Sequence, residues 1–408
     1  MRAIATVLLT ALVAAACQES SATSLLGPPS GDIIIASDLP LTDLSNDTLA
    51  AEQAIRLAIM DHPIVGGRFK LAYWSLDDAV AGKYSVETGV QNVEWMIDVP
   101  VVLGMVGPFP SDVAAGEIPV ANAADLVMVS PSNTRRCLTQ LGPTCPFKAD
   151  TFHPSGRINY FRIAPPDPLQ GLAMARYAAT HLGITRAGVI NEDGAGGNST
   201  IDRFTKELRR LGGDVLVRED VDPKTLSFKD FIASAQKVGV QAIFAMGNDG
   251  DICVARAQMP DGMLLLGTDE FANDSTCLTK AANPAAGIVA TYADVDIRGS
   301  NDQAAIAAVR AFKAAYPHTS IVDYTFAAYD CARLLIAALE QAVHDAGGKI
   351  PNRPQVLAAV ARIHYIGVTG TYAFDANGDA TSPLMEIYDV ENGVWVNKGK
   401  VDATASPN

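Results

Sequence analysis

Residues 188–204 read GVINEDGAGGNSTIDRF. The apolar run Ala187 to Ile190 has the composition of a strand, Gly194, Gly196 and Gly197 make a glycine-rich turn, and the residues that follow have helical spacing. Strand, glycine turn and helix form one α/β unit, which is also how a dinucleotide-binding site begins. Asp220, closing the next apolar run DVLVRED, stands about 20 residues on, where a ribose-binding acid would be expected. Two features oppose a pyrophosphate. Glu192 and Asp193 put negative charge directly before the glycines, and Ser199 takes the place of the third fingerprint glycine. The stretch therefore points to an α/β fold without a cofactor.

The same alternation extends in both directions. Upstream, GDIIIAS, RFKLAYWS and VPVVLGMVG are each followed by a helical pattern, and LVMVSPS by a cysteine-containing loop. Strands alternating with helices predict a parallel sheet with crossover helices. After NYFRIAPPDP the pattern restarts with helix LQGLAMARYAATHLG, strand AGVIN, helix STIDRFTKELRRLG and strand DVLVRED. It continues with FKDFIASAQKVG, QAIFAMG, DICVARAQM and MLLLGTDEF, predicting a second sheet of the same kind. Three long helical patterns follow, then two alternating segments, VTGTYAFDANGD and LMEIYDVENGVWV, with Asn377-Gly378 as the expected hairpin turn between them.

The chain has 408 residues, of which 49% are hydrophobic, so two domains are expected. The formal net charge of −14 disfavours nucleic acid or an anionic membrane surface as partner. At the N-terminus, Arg2 precedes an apolar stretch from Ala3 to Ala16, shorter than the roughly 20 residues needed to cross a bilayer and suited to a secretory signal. It ends VAAAC, which resembles the lipobox of bacterial lipoproteins and implies that Cys17 becomes the lipidated first residue. Ala14 stands where that pattern more often has leucine, leaving cleavage by the general signal peptidase as the alternative. In an oxidising compartment Cys137 can pair with Cys145 and Cys253 with Cys277, leaving Cys331 in an apolar helix. None of the cysteines has zinc or redox spacing, and no metal is expected.

The sequence resembles the type I periplasmic solute-binding proteins of ABC importers, in their leucine/isoleucine/valine-binding branch, from about Gly31 to about Val396. GPFPSD, VSPSNTRRCLT, YFRIAPPDPLQG, LLGTDEF, YTFAAYDCARLL and GVTGTYAFDANGD carry the likeness, in the family's order. The resemblance implies two Rossmann-like lobes, each a parallel sheet flanked by helices. Residues 1–16 would be the signal peptide and 17–30 a lipidated linker. The N-terminal lobe would hold 31–164 and 292–367, the C-terminal lobe 165–291 and 368–402, with 403–408 a tail. Crossings near Arg162, Ala293 and Gly370 would form the hinge.

It also implies a ligand site. Helix N-termini offer unpaired amides and partial positive charge, so a ligand carboxylate fits there. By resemblance, the hydroxyls of Ser111 and Thr134 hold an α-carboxylate, Ser132 and Asn133 in SPSNT help orient the ligand, and Asp269 in LLGTDEF receives an α-ammonium, with Glu270 as the neighbouring substitute. The structural alternatives are an N-cap for Ser111 and Asp269 and a simple turn for SPSNT. Gly196 and Asn248 fall where the family often places aromatic cleft walls, which implies a larger or more polar side-chain pocket here. The partners implied are a small amino-acid-like molecule and an ABC permease and ATPase complex, with membrane contact through the lipid anchor only. A ligand-sensing regulatory lipoprotein on the same scaffold is the second reading. Enzyme readings find no GxSxG, HExxH or P-loop, and the histidines are scattered.

Overall fold

The computed structural model describes residues 27–42, 46–247, 251–273, 276–281 and 286–402. The expected signal peptide, Cys17, Asn248 and the 403–408 tail lie outside these residues.

The first sheet has six strands: β1 (Ile33–Leu39), β2 (Ile64–Val65), β3 (Phe69–Asp77), β4 (Val102–Val106), β5 (Val127–Ser130) and β6 (Tyr160–Arg162), in the order β2-β3-β1-β4-β5-β6. All pairings are parallel except β2 with β3. Every residue of β1, β4 and β5 is buried, as expected of strands covered on both faces. On one face pack α1 (Asn46–Met60) and two later helices, Thr325–Asp345 and Arg353–Val360. On the other pack α2 (Val86–Asp98) and α3 (Ser111–Ala123).

The second sheet has seven strands: β7 (Arg186–Asn191), β8 (Asp214–Asp220), β9 (Ala242–Met246), β10 (Leu264–Gly267), β11 (Ile288–Tyr292), β12 (Leu384–Glu391) and β13 (Val394–Asp402). Their order is β8-β7-β9-β10-β11-β12-β13, parallel as far as β11, with β12 and β13 added antiparallel. The parallel parts of both sheets run second, first, third, fourth, fifth in chain order. In such sheets ligands sit beyond the carboxyl ends of the strands, where the order reverses. Here that is between β1 and β4 in one sheet, and between β7 and β9 in the other.

Two local expectations change. The glycines of residues 194–197 do not form a loop ahead of a helix starting near Ser199; the helix runs Gly194–Arg210 and contains them. At Gly197 the glycine answers to crowding. Asn191 donates to the Gly194 carbonyl, and a Cβ on Gly197 would lie 2.2 Å from Asn191 Oδ1. The second change concerns the C-terminal hairpin. Asn377-Gly378 does reverse the chain, but it joins only the single bridge Phe374 to Ala380. The long hairpin is β12–β13, turned at Asn392-Gly393, both with positive φ as a two-residue primed turn demands. Gly378 serves the first sheet instead, its carbonyl accepting the Arg162 amide at 3.0 Å.

Disulfides join Cys137 to Cys145 and Cys253 to Cys277, while Cys331 is free and buried. No described helix is long and apolar enough to cross a membrane.

Candidate ligand-binding cleft

The carboxyl end of β4 leads through Gly107-Pro108-Phe109-Pro110 into α3. Pro110 occupies the N-cap, without a side-chain cap bond, and Ser111 is the first helical residue, so Ser111 is not the cap of this helix. The start of α3 thus keeps its unpaired amides available for a carboxylate.

The SPSNT segment lies alongside because Ser130 organises it. The Ser130 hydroxyl donates to the Pro108 carbonyl at 2.9 Å and accepts from the Ser132 and Asn133 amides at 3.4 and 3.2 Å. The Ser132 hydroxyl and the Asn133 side-chain amide both donate to the Phe109 carbonyl, at 2.9 and 2.5 Å. Asn133 also accepts from Tyr160 at 2.7 Å and is 1% exposed, so its side chain holds the loop. Thr134, partly exposed, follows, and its carbonyl accepts the Asp167 amide at 2.9 Å.

Asp269 begins a short helix just past β10 and is 3% exposed. Its carboxylate accepts from Gln170 at 2.6 Å and from the Tyr324 hydroxyl at 3.0 Å. Gln170 is itself fixed, accepting from the Asp269 amide and the Thr291 hydroxyl and donating to Asp167 at 3.2 Å. Tyr324 leads the helix Thr325–Asp345 in a left-handed conformation, with its amide held by Asp294 at 2.6 Å. Its ring meets Phe109 edge-on, centroids 5.6 Å apart. Tyr324 therefore connects the acid of the second sheet to the α3 entrance of the first.

The cleft is acidic. Burial pushes Asp269 above the ordinary carboxylate range, against the bonds from Gln170 and Tyr324. Burial and then the charge of Asp269 raise Asp167 to about 7, with Thr134 and Arg162 opposing. Glu270 is raised well above its usual value by burial and then by Asp167 and Asp269, and its Oε2 is buried without a hydrogen bond among the described residues. Arg135 stands nearby, but it is paired with Asp112.

The structure thus brings Ser111, Ser132, Asn133, Thr134 and Asp269 to one region. Gly196 is exposed in the first helical turn, and a Cβ there would lie 2.2 Å from Asp193 Oδ2, so a carboxylate covers the position expected for an aromatic wall. Asn248 lies outside the described residues. The sequence reading did not assign roles to Gln170, Asp167 and Tyr324. Their signals were present, since DPLQG and YTFAAYD belong to the stretches that carried the resemblance.

No curated protein is similar enough in sequence to count as a relative. Among solved structures, an ABC transporter substrate-binding protein from Desulfitobacterium hafniense in complex with leucine matches at TM-score 0.71 and 21% identity, covering 90% of this chain and 99% of that one. A leucine-binding protein from Thermotoga maritima matches at TM-score 0.68 and 22% identity, covering 90% and 98%. A solute-binding protein of an ABC transporter from Rhodopseudomonas palustris BisB5, in complex with 3,4-dihydroxybenzoic acid, matches at TM-score 0.66 and 18% identity, covering 92% and 98%. At such identities the likeness is one of fold. The model of the family described as periplasmic binding protein matches residues 43–394, which is most of the chain, and this protein belongs to that family.

Proposed function

We propose that this protein is the extracytoplasmic substrate-binding component of an ABC importer, and that it captures a small amino-acid-like ligand between its lobes. Family membership and solved relatives described as ABC transporter substrate-binding proteins support the transport role. The relatives' ligands divide into amino acids and aromatic acids. Both kinds carry a carboxylate, which the α3 N-terminus with Ser111 and Thr134 would hold. Only an amino acid also carries an ammonium.

The single observation behind the amino-acid reading is Asp269. It is a nearly sealed carboxylate whose protein partners, Gln170 and Tyr324, are neutral, so a ligand ammonium would supply its counter-charge. Ser132 would orient the ligand through its main chain, and Asn133 by holding the loop. Gly196 and Asn248 would line the side-chain end. The lobes would divide as 31–164 with 292–367, and 165–291 with 368–402. The role calls for no catalytic group. A calorimetric screen of amino acids, amides, benzoate and hydroxybenzoates tests the reading: an amino acid should bind best. An aromatic acid binding more tightly than every amino acid would overturn it.

Lipid attachment at Cys17 belongs to the same proposal. Cys17→Ser should move the protein from the membrane to the soluble fraction, and equal membrane retention of the variant would remove the anchor.

A further inference from the structure

Apart from the cleft, the first lobe contains three carboxylates with a single hydrogen-bond donor among the described residues. Asp38 is near the end of β1, Asp78 directly follows β3, and Glu117 lies on α3, and each is 0% exposed. One oxygen from each lies within 4.8 Å of the others. Among the described residues one side chain donates to the cluster, Asn92, whose side-chain amide reaches Asp38 Oδ1 at 2.7 Å. Asp38 Oδ2, both oxygens of Asp78 and both of Glu117 accept no hydrogen bond from the described residues. Among the described residues the charges that act on Asp78 are those of Asp38 and Asp77, both negative.

Burying ionised carboxylates without compensation is prohibitively costly, so the cluster must hold either protons or a cation. Protons satisfy it only in part. A protonated Glu117 can donate to Asp38, but among the described residues nothing donates to either oxygen of Asp78 and no side chain is bonded to it. An ion coordinated at roughly 2.0 to 2.6 Å would bring oxygens on opposite sides of it about 4 to 5 Å apart, the span these three occupy. The neighbouring helix is shaped for such an arrangement. Gly89 lies inside α2, where a Cβ would come within 2.6 Å of Glu117 Oε1 and 3.2 Å of Asp38 Oδ2. A mid-helix glycine forgoes about 1 kcal/mol relative to alanine, and here it leaves the carboxylates the room to converge.

We propose that Asp38, Asp78 and Glu117 form a structural binding site for a hard divalent cation, of the calcium or magnesium class. The donors are all oxygens, which excludes soft metals. The ion would tie α3, whose first turn enters the ligand cleft, to the ends of β1 and β3. This site is separate from the cleft and stands or falls independently of the ligand assigned there.

The test uses the full-length protein, stripped with EDTA and returned to Ca2+ or to Mg2+ alone. One equivalent of one of these ions should bind by calorimetry, with the melting temperature rising by about 5 °C or more at a hundredfold excess over Kd. Asp78→Asn and Glu117→Gln keep the shape and remove buried charge, so both should fold at least as well as wild type in EDTA. Each should bind the ion roughly tenfold more weakly or worse, since affinity follows the number of charged ligands. Wild-type protein that responds to neither ion at millimolar concentration would overturn the site, leaving the carboxyls held by protons alone. Variants that respond as wild type does would overturn it too, by placing the ion elsewhere.

Discussion

Two aspartates at the junctions of this molecule are almost equally buried and behave in opposite ways. Asp379, 5% exposed, accepts from Arg162 Nε, Thr139 and Gln140, each at 2.7 Å. Asp269, 3% exposed, accepts from Gln170 and Tyr324, both neutral. Burial pushes both carboxyls upward. At Asp379 the Arg162 guanidinium, itself 0% exposed, overcomes burial and holds the group below its ordinary range. At Asp269 the neutral donors do not, and the group ends above it. A fold that compensates one buried carboxylate in full and leaves the other short of a cation separates framework from binding site. Arg162 also donates to the Asn133 and Arg135 carbonyls, at 3.2 and 2.8 Å, so the framework pair holds the loop that carries Thr134.

The comparison breaks first at Arg162. Arg162→Met leaves Asp379 buried without its charge partner, which should cost about 3 to 5 kcal/mol of folding stability in urea titration, and Asp379→Asn on top should restore part of it. A loss under about 1 kcal/mol would mean that Thr139 and Gln140 suffice, and the contrast with Asp269 would collapse. Asp269→Ala moves the same physics from folding to binding. An amino-acid ligand left with an unpaired buried ammonium should bind about 3 to 5 kcal/mol more weakly, roughly a hundredfold to several thousandfold. The ligand-free melting temperature should stay near that of wild type. Equal affinity of the Asp269→Ala protein would remove the ammonium from the proposal. Thr134→Val deletes one neutral donor to a charged acceptor, so calorimetry should show a smaller loss, about 1.5 to 3 kcal/mol. If Thr134 mattered more than Asp269, the carboxylate would be the dominant anchor and the aromatic-acid reading would gain.

The sheets were legible because apolar runs such as GDIIIAS and VPVVLGMVG alternate with helical patterns in the sequence, and the strands they hold, IIIASDL and VLGMV, are buried throughout. The glycines of 194–197 misled because two of them answer to crowding inside the helix, Gly196 by Asp193 and Gly197 by Asn191, and not to a loop. Asn377-Gly378 misled for a related reason. A turn signal marks reversal, but which strands pair is decided by distant partners, here Arg162. In the cleft, Asp269 was legible through its motif. The network that orients it was not, because Gln170 and Tyr324 are far from it in sequence and meet it only across the fold.

The smallest effect sharpens the comparison through pH. A carboxyl raised on folding binds more protons in the native state, so its contribution to stability is complete below its unfolded pKa, about 3.9, and is lost as pH rises towards the folded value. Asp167, raised to about 7, and Asp294, raised to about 8, both by burial first, act in this direction together with Asp269. Asp379, lowered, acts oppositely: its contribution is present above about pH 4 and disappears as pH falls through its depressed value. The ligand-free melting temperature should therefore be highest in mildly acidic buffer and decline gently between about pH 5 and 8. A saturating amino-acid ligand, supplying a cation to Asp269 and Asp167, should flatten that decline, and the flattening should be weaker in Asp269→Asn. A ligand-free melting temperature that rises steadily from pH 5 to 8 would mean that these acids already have their counter-charges within the protein, and the distinction between Asp379 and Asp269 would fail.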